Sequence, residues 1–172
     1  MPRLYREARI AQLESKPVTA LAKEWVEHPA TGLLIVGPTG RGKTYLTCAL
    51  VAALCERHIP CLFMPATELY RRIRCAMRDL QDDVLVRDLA TVDIFALDDL
   101  GAGSLSDFER RTTLEVVESR LSSLRPTIVT SNWSLTEISE RIDDRLASRL
   151  ASYPQVMMQG KDRRTGSWNV PK

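Results

Sequence analysis

The chain has 172 residues, of which 44% are hydrophobic and 27% are charged, and its formal net charge is +2. This length is enough for one α/β core but short for two, so we expect a single domain over residues 1–172. The longest apolar run, around residues 45–55, is shorter than the roughly 18 residues of a membrane-spanning helix, so no membrane association is expected. The four cysteines form no CxxC pair, which favours reduced thiols in a cytoplasmic protein.

The first predicted elements lie on either side of a glycine-rich loop. A polar lead-in, residues 1–30, contains one short helix, PVTALAKEWVEH, whose apolar residues recur at helical spacing. The segment GLLIVG at 32–37 is a continuous apolar run bounded by glycine, which is typical of a strand buried on both faces. A helix is predicted from about Gly42 to Arg57, followed by a strand at PCLFM and an amphipathic helix over 67–80.

The second half of the chain continues the alternation of strands and helices. VDIFALDDLG, PTIVTSN and QVMMQ are predicted strands, and the first of them ends in two acidic residues. The segments SDFE and SLTE, at 106–109 and 134–137, fit the S-x-x-E capping box and predict two helix starts. The chain between the amphipathic helix and residue 90 is predicted as a loop. This order predicts an α/β fold with a mostly parallel sheet and helices on both faces.

The loop GPTGRGKT, residues 37–44, matches G-x-x-x-x-G-K-[ST] between a predicted strand and a predicted helix. Glycines let successive backbone N–H groups point into one concavity, and the helix N-terminus adds its dipole, so the loop favours phosphate. Lys43 is expected to reach the β- and γ-phosphates of ATP, and the Thr44 hydroxyl to bind Mg²⁺. The alternative is a glycine-rich turn without a ligand. The predicted nucleotide contacts are Gly37, Pro38, Thr39, Gly40, Arg41, Gly42, Lys43, Thr44 and Tyr45.

Acidic and polar side chains follow two later strands. Asp98 and Asp99 end the strand IFAL, at the edge of the sheet where ligands of doubly wound folds bind. Asp98 is a candidate Mg²⁺ partner, and Asp99 could orient or deprotonate the attacking water; the alternative is a helix cap or a solvated turn. Asn132 follows the strand TIVTS and would reach the γ-phosphate if that strand lies beside the Asp98 strand. A turn in which Ser134 caps the next helix is an equal alternative.

The chain resembles a known family through five segments, which are GPTGRGKT, LDDLG, PTIVTSN, RIDDRLASRL and GKDRR. They are similar to segments of the AAA+ ATPase core of bacterial replicative helicase loaders of the DnaC and DnaI type, and of the IstB transposition ATPases. The resemblance covers nearly the whole chain. It implies an α/β P-loop NTPase fold with a minimal or absent C-terminal lid, and ATP and Mg²⁺ as cofactors. It divides the chain into the lead-in, a nucleotide-binding core at 31–160 and a basic tail at 161–172.

The same resemblance implies roles for individual residues. Asn132 corresponds to the sensor 1 residue of these ATPases. Arg145 and Arg149 lie one helical turn apart, and one of them corresponds to an arginine finger that completes the nucleotide site of a neighbouring subunit. Arg163 and Arg164 match a late basic position that contacts nucleotide, and the alternative is that they are charges of a disordered tail. The alternative for Arg145 and Arg149 is an exposed helix face on which they pair with neighbouring aspartates.

Helicase loaders also bind single-stranded DNA, and the matching region of this chain is the helix and loop at 67–90. An aromatic residue interleaved with arginines suits base stacking combined with neutralisation of the backbone. The alternative is a solvated basic helix face. The predicted DNA contacts are Tyr70, Arg71, Arg72, Arg74 and Arg78.

The expected function is that of a DNA-replication accessory protein, a slow ATPase stimulated by DNA or by a partner. The resemblance implies a replicative helicase as that partner and head-to-tail self-association on single-stranded DNA. An IstB-like helper that prepares DNA for a transposase is one alternative, and an ATP-binding competitor with little turnover is another. A small-molecule kinase lacks support, because the sequence shows no long lid insertion rich in arginine and glycine.

Overall fold

The computed structural model describes residues 2–79, 82–160 and 162. Five strands form one sheet in the order β2-β3-β4-β1-β5, and every neighbouring pair is parallel. The predicted parallel α/β fold is therefore confirmed, and β3 and β4 are neighbours, which is the condition set for the role of Asn132. The strands are β1 Leu33–Val36, β2 Cys61–Pro65, β3 Ile94–Leu100, β4 Thr127–Ser131 and β5 Gln155–Met157.

Helices connect the strands and cover both faces of the sheet. Both predicted capping boxes are present, because Ser106 and Ser134 each accept a hydrogen bond from the backbone N–H three residues later. None of the helices in the described part of the chain has the length and apolar character that crossing a bilayer requires. The helices are α1 Lys16–Glu27, α2 Lys43–Glu56, α3 Ala66–Arg78, α4 Asp82–Thr91, α5 Asp107–Ser122, α6 Leu135–Arg141 and α7 Asp144–Ala151.

The sequence predicts a loop where the structure has α4, so that part of the prediction is wrong. The apolar residues 84–86 are consecutive rather than spaced at 3.6, and two of them are β-branched, which disfavours a helix locally. Tertiary contacts compensate for this weak local preference. Leu89 is buried in the core, and its carbonyl oxygen accepts a hydrogen bond from Arg120 of α5 at 2.8 Å.

The core has two halves, one on each face of the sheet. Alternate residues of each central strand enter opposite halves, as the side-chain period of two requires; in β1 these are Leu34 on one face and Leu33 on the other. Helices α3, α5 and α7 contribute apolar residues to the first half, and α1 and α2 contribute to the second. This burial on both faces explains why the strands have continuous apolar runs.

Arg120 of α5 is fully buried at the edge of the sheet where the strands begin. Its guanidinium donates to the Thr127 hydroxyl at 2.9 Å and to the carbonyl oxygens of Leu89, Val92 and Pro126 at 2.8, 2.7 and 2.7 Å. Burial lowers the pKa of Arg120 to about 10. These contacts join α4, α5 and the start of β4, and they satisfy the donors of a side chain that is rarely buried.

Candidate nucleotide-binding site

The glycine-rich loop connects the end of β1 directly to the N-terminus of α2, as predicted. Gly37 has a φ of 147°, and a Cβ atom there would collide with the carbonyl oxygen of Met158. Gly42 has a φ of 88° and is the left-handed N-cap of α2. Both positions therefore require glycine, and the loop ends where a helix N-terminus favours bound anions.

Lys43 folds back over this loop and is largely buried. Its Nζ donates to the carbonyl oxygens of Gly37 and Pro38 at 2.7 and 3.0 Å, and to Oδ1 of Asn132 at 2.6 Å. The ammonium group thus lies inside the loop rather than in solvent, where its charge is weakly screened.

Thr44, the predicted Mg²⁺ ligand, and Asp98, the predicted partner of that ion, are in direct contact. The Thr44 hydroxyl donates to Oδ2 of Asp98 at 2.9 Å, and the Thr130 hydroxyl donates to Oδ1 at 2.8 Å. Burial raises the pKa of Asp98, whose side chain is only 6% exposed, while the Thr130 and Thr44 hydroxyls oppose that rise. Two oxygen groups side by side fit Mg²⁺, which binds few protein ligands besides phosphate and water oxygens.

Asp99 has a left-handed backbone, with a φ of 62°, and it lies where the pairing of β3 with β4 shifts register between Leu97 and Leu100. Its N–H donates to the Thr130 hydroxyl at 2.8 Å. Aspartate tolerates this conformation better than most residues, and such irregularities often re-aim a side chain near a functional site. No role for Thr130 is predicted from the sequence, although a hydroxyl inside a buried strand is a usable signal.

Asn132 reaches the site across the β3–β4 pair. Its Nδ2 donates to Oδ1 of Asp99 at 3.0 Å, while its Oδ1 accepts from Lys43 and, at 3.4 Å, from the Thr39 hydroxyl. The alternative predicted for this segment, a turn in which Ser134 caps the next helix, is also present, since Ser134 caps α6. The two interpretations are therefore compatible, because different residues carry them.

Trp133 packs on the chain that follows the two acidic residues. A Cβ atom at Gly101 would collide with the indole ring, and Gly101 has a φ of 94°. Arg141 is the last residue of α6, and its guanidinium lies 5.3 Å from the centroid of the Trp133 ring, within range of a cation–π interaction. The indole thus joins the ends of β3 and β4 near Asp99 and Asn132.

Tyr45, which directly follows the loop and is also a predicted nucleotide contact, packs against the lead-in. Its hydroxyl donates to Oε1 of Gln12 at 2.5 Å, and its ring meets the ring of Tyr5 edge-on, with centroids 6.2 Å apart. The lead-in therefore covers the first turn of α2 beside the glycine-rich loop.

The two arginines of α7 lie on its exposed surface and pair with carboxylates of their own chain. Arg145 lies 3.4 Å from Oδ2 of Asp143, and Nε of Arg149 donates to Oε1 of Glu118 on α5 at 3.1 Å. The predicted action on a neighbouring subunit stays a prediction. Arg164 lies outside the described residues.

The predicted DNA-contacting residues of α3 divide into two groups. Tyr70 is only 4% exposed and belongs to the core, so its assignment to base stacking is wrong: the ring packs against the apolar residues beneath the helix. Arg71 and Arg72 are exposed and share Glu68, at 2.7 and 2.9 Å. Nη2 of Arg78 lies 3.3 Å from the Cys75 sulfur. Arg74 pairs with Glu109 of α5.

Solved structures share this fold. The crystal structure of the DnaC helicase loader matches with a TM-score of 0.83 at 24% identity, over 92% of this chain and 100% of that one. The replication initiator DnaA bound to AMPPCP and single-stranded DNA matches with a TM-score of 0.83 at 17% identity, over 93% of this chain and 52% of that one. The chain has the P-loop AAA+ fold, with five parallel strands and helices on both faces.

Similar sequences come from two groups of proteins. An ATP-binding protein of the insertion sequence IS1162 from Pseudomonas fluorescens is 35% identical over 120 residues, which are 69% of this chain and 51% of the relative. The replicative helicase loader DnaC of Escherichia coli is 25% identical over 134 residues, which are 75% of this chain and 55% of the relative. The chain thus spans about half the length of the curated relatives it matches. The model of the family "IstB-like ATP binding protein" matches residues 5–152, so the chain belongs to that family.

Proposed function

We propose that this protein binds and hydrolyses ATP as an accessory protein of DNA replication, acting as a helicase loader that assembles head to tail on single-stranded DNA. The observation that carries the proposal is the convergence of five side chains on one loop. They are Lys43, Thr44, Asp98, Asp99 and Asn132: Asn132 is hydrogen-bonded to both Lys43 and Asp99, and Thr44 is hydrogen-bonded to Asp98. Family membership supports ATP binding. A role on replicating DNA would place the protein in the cytoplasm.

Binding of ATP would change the partners of Lys43. Its Nζ donates to two neutral carbonyl oxygens, those of Gly37 and Pro38, and charged phosphate oxygens are stronger acceptors for an ammonium group. The backbone N–H groups of the loop and the N-terminus of α2 would hold the other phosphate oxygens. The residues proposed to surround the nucleotide are Gly37, Pro38, Thr39, Gly40, Arg41, Gly42, Lys43, Thr44, Tyr45 and Arg164.

Thr44 and Asp98 would hold Mg²⁺, which neutralises charge on the β- and γ-phosphates when bound. Thr130 fixes the Asp98 carboxylate by donating to Oδ1, so that Oδ2 is directed toward Thr44. Asp98 must be ionised for this role. Its raised pKa therefore makes the metal-binding step sensitive to pH.

Hydrolysis would use Asp99 to orient the attacking water and to accept its proton. The water oxygen forms a bond to the γ-phosphorus as the bond to the bridging oxygen of ADP breaks, so ADP carries away the electron pair. Asn132 holds the Asp99 carboxylate through Nδ2 and Lys43 through Oδ1. One amide therefore contacts both the proposed base, Asp99, and the proposed phosphate-binding residue, Lys43. Through these contacts Asn132 would sense whether the γ-phosphate is present.

Assembly would complete the site. Arg145 and Arg149 are exposed on α7, and an arginine supplied to a neighbour's γ-phosphate stabilises transition-state charge. Such a contact is head to tail, so repeated contacts give a ring or an open spiral. The proposed DNA contacts are Arg71, Arg72, Arg74 and Arg78, without Tyr70.

A second candidate is an IstB-like helper that prepares DNA for a transposase. The insertion-sequence relative, at 35% identity, supports this candidate, as the DnaC relative, at 25% identity, supports a helicase partner. The proposed ATPase chemistry is the same for both. Affinity purification of the full chain with the replicative helicase and with the transposase, each as a separate purified bait, distinguishes them by which bait retains it.

The test of the proposed function is ATP hydrolysis by the full chain with and without an oligodeoxythymidine strand. Lys43→Ala should abolish nucleotide binding, whereas Asp99→Asn should keep binding and lose hydrolysis, because Lys43 contacts ground-state phosphates and Asp99 acts on the water. Equal nucleotide affinity for the wild type and Lys43→Ala would refute the site. Binding without measurable hydrolysis in the wild type, with and without the strand, would instead identify an ATP-binding competitor.

A further inference from the structure

The two capping boxes of this chain use their glutamates differently. In both boxes Oε2 of the glutamate accepts from the serine N–H and hydroxyl, at 2.8 and 2.8 Å for Glu109 and at 2.9 and 2.9 Å for Glu137. Glu109 is only 4% exposed, and its other oxygen, Oε1, accepts from Nη1 of Arg74 on α3. Capping of α5 needs only Oε2. The contact with Arg74 therefore ties α3 to the first turn of α5.

Arg74 has one side in solvent, because 60% of its side chain is exposed although its partner is buried. It belongs to the same helix as the exposed Arg71 and Arg72. A guanidinium has five N–H donors in a planar fork, so it can contact a second anion from its exposed side. A phosphate bound along α3 would thus compete with Glu109 for the same group.

Tyr70 lies one turn before Arg74 and contacts the chain that follows Asp99. Its buried hydroxyl has no hydrogen-bond partner among the described residues, and it lies near the backbone N–H of Gly101. Burial raises the pKa of Tyr70 strongly, and the Gly101 N–H opposes the rise only in part. Helix α3 is therefore linked to the chain on both sides of the short segment 101–105: Tyr70 lies near Gly101, and Arg74 contacts Glu109, whose Oε2 accepts from the Ser106 N–H just after the segment.

We propose that the ion pair between Arg74 and Glu109 is a latch that a bound polyanion opens to reposition Asp99. Phosphates of single-stranded DNA on α3 take Arg74 from Glu109, the segment 101–105 loosens, and Asp99, still held by Asn132, moves toward the attacking water. The inference rests on the proposed ATPase function and states how DNA regulates that site.

The latch can open without unfolding α5. Glu109 keeps its two hydrogen bonds to Ser106 when Arg74 leaves, so the helix start stays capped. The exposed side of the pair is screened by water, which keeps the cost of exchange low, and a strand offers several phosphates in a row. Contact with DNA can therefore change the conformation of the segment 101–105 while the fold is preserved.

The test compares hydrolysis by the full chain with and without saturating oligodeoxythymidine. In Arg74→Gln the DNA-free rate should rise toward the DNA-saturated wild-type rate, so the stimulation factor should fall toward about 1, because the coupling between the two sites is lost. Arg72→Gln is the matched control on the same helix. It should weaken DNA binding but keep the wild-type stimulation factor once DNA is saturating.

Glu109→Gln opens the latch from its buried side and should cause the same loss of stimulation. Its control is Glu137→Gln, which changes the other capping box and should leave stimulation as in the wild type. A stimulation factor in Arg74→Gln and Glu109→Gln equal to that of the wild type overturns the latch.

Hydrogen exchange of the segment 101–105, measured by mass spectrometry, separates this inference from the proposed function. Exchange should be faster in Arg74→Gln without DNA, and oligodeoxythymidine should accelerate it in the wild type. If the wild type neither hydrolyses ATP nor binds the strand, the proposed function fails, and faster exchange in Arg74→Gln still supports the tie between α3 and the segment. Unchanged exchange in Arg74→Gln refutes that tie.

Discussion

Asn132 lies 2.6 Å from Lys43, with Oδ1 of the amide facing Nζ, and its Nδ2 lies 3.0 Å from Oδ1 of Asp99. The two ends of an amide have opposite polarity, since the oxygen accepts and the nitrogen donates. One side chain can therefore hold a cation and a carboxylate at a fixed separation. Neither aspartate nor leucine at this position could contact both groups favourably.

Replacement of Asn132 should separate binding from hydrolysis. Asn132→Ala should bind ATP with near wild-type affinity and lower kcat by about 10²–10³, the usual loss for a donor that acts on a transition state. Asn132→Asp keeps an acceptor for Lys43 but places a like charge beside Asp99, so it should also lose kcat. Stopped-flow binding and steady-state hydrolysis measure the two effects. A wild-type kcat in both variants would contradict the role of Asn132.

The raised pKa of Asp98 should make Mg²⁺ binding depend on pH. As pH falls through that pKa, the carboxylate gains a proton and the affinity for Mg²⁺ in the presence of nucleotide should fall, at higher pH than an ordinary aspartate would require. Titration of Mg²⁺ at a series of pH values measures this. Thr130→Val is the informative variant: loss of its hydrogen bond should raise the pKa further and move the loss of affinity to higher pH.

The same shift predicts an opposite effect on folding without Mg²⁺. Because the folded state holds the Asp98 proton more tightly than the unfolded state, this group's contribution to the free energy of unfolding is fully present below its ordinary pKa. It is lost as pH rises through the raised pKa. Urea unfolding with and without Mg²⁺ and nucleotide should therefore show opposite pH trends for this contribution, judged against Asp98→Asn.

The arginines of α3 should determine how DNA binding depends on salt. Replacing Arg71 and Arg72 together with glutamine should weaken binding of oligodeoxythymidine and flatten the log–log salt dependence, by roughly 0.7 for each lost phosphate contact. Fluorescence anisotropy over a range of salt concentrations measures the slope. Arg125→Gln, a change at a half-buried arginine that pairs with Asp93, should leave the slope unchanged. If the double variant has the same slope as the wild type, Arg71 and Arg72 belong to a solvated surface and do not contact DNA.

An arginine acting between subunits should allow two inactive variants to complement each other. Arg149→Ala keeps its own nucleotide loop, and Lys43→Ala keeps its arginines, so a mixture should recover hydrolysis that neither shows alone. Arg145→Ala is mixed in the same way, because both arginines are exposed. Sedimentation with ATP and DNA confirms that the variants associate. If the mixtures with Arg145→Ala and with Arg149→Ala both associate but stay inactive, the two arginines have a structural role and do not act between subunits.

Removal of Arg120 should strongly destabilise the fold. Arg120→Met removes the guanidinium donor of the Leu89, Val92 and Pro126 carbonyl oxygens, of which Pro126 keeps the Phe95 N–H at 3.3 Å. We expect a loss of about 1–3 kcal/mol in the free energy of unfolding for each buried oxygen left without a donor. Arg125→Ala breaks an exposed pair and should cost about 0–1 kcal/mol. Urea unfolding of the two variants compares these losses. Similar losses would contradict the structural role of Arg120.

Features with local signals could be predicted from the sequence. Glycines at 37 and 42, the serine and glutamate of each capping box, and the apolar strands each combine residue type with spacing, and the structure has all of them where expected. The sequence does not show that β3 and β4 are neighbours, because the order of strands in the sheet arises from long-range packing. The predicted role of Asn132 was therefore conditional on that order.

Features set by tertiary packing could not be predicted. Leu69, Ile73 and Met77 are spaced four apart, which predicts that all three lie on the buried face of α3, but Met77 is 54% exposed and Tyr70 is buried instead, because the helix turns a different face toward the core. Spacing allows both faces, since Tyr70 lies three residues before Ile73. Arg120 likewise has no feature in the sequence that separates it from the other arginines, and the left-handed backbone of Asp99 follows from the shifted β3–β4 register.

The indole of Trp133 also makes the region near Asp99 optically observable. It packs on Gly101 and lies 5.3 Å from the Arg141 guanidinium. Tryptophan emission responds to nearby charge and to water, so a displacement of the chain after Asp99 would change both the intensity and the wavelength of the Trp133 emission. With Trp25 and Trp168 replaced by phenylalanine, the emission would report on this region alone. Stopped-flow fluorescence could then time its movement during a single turnover without an attached dye.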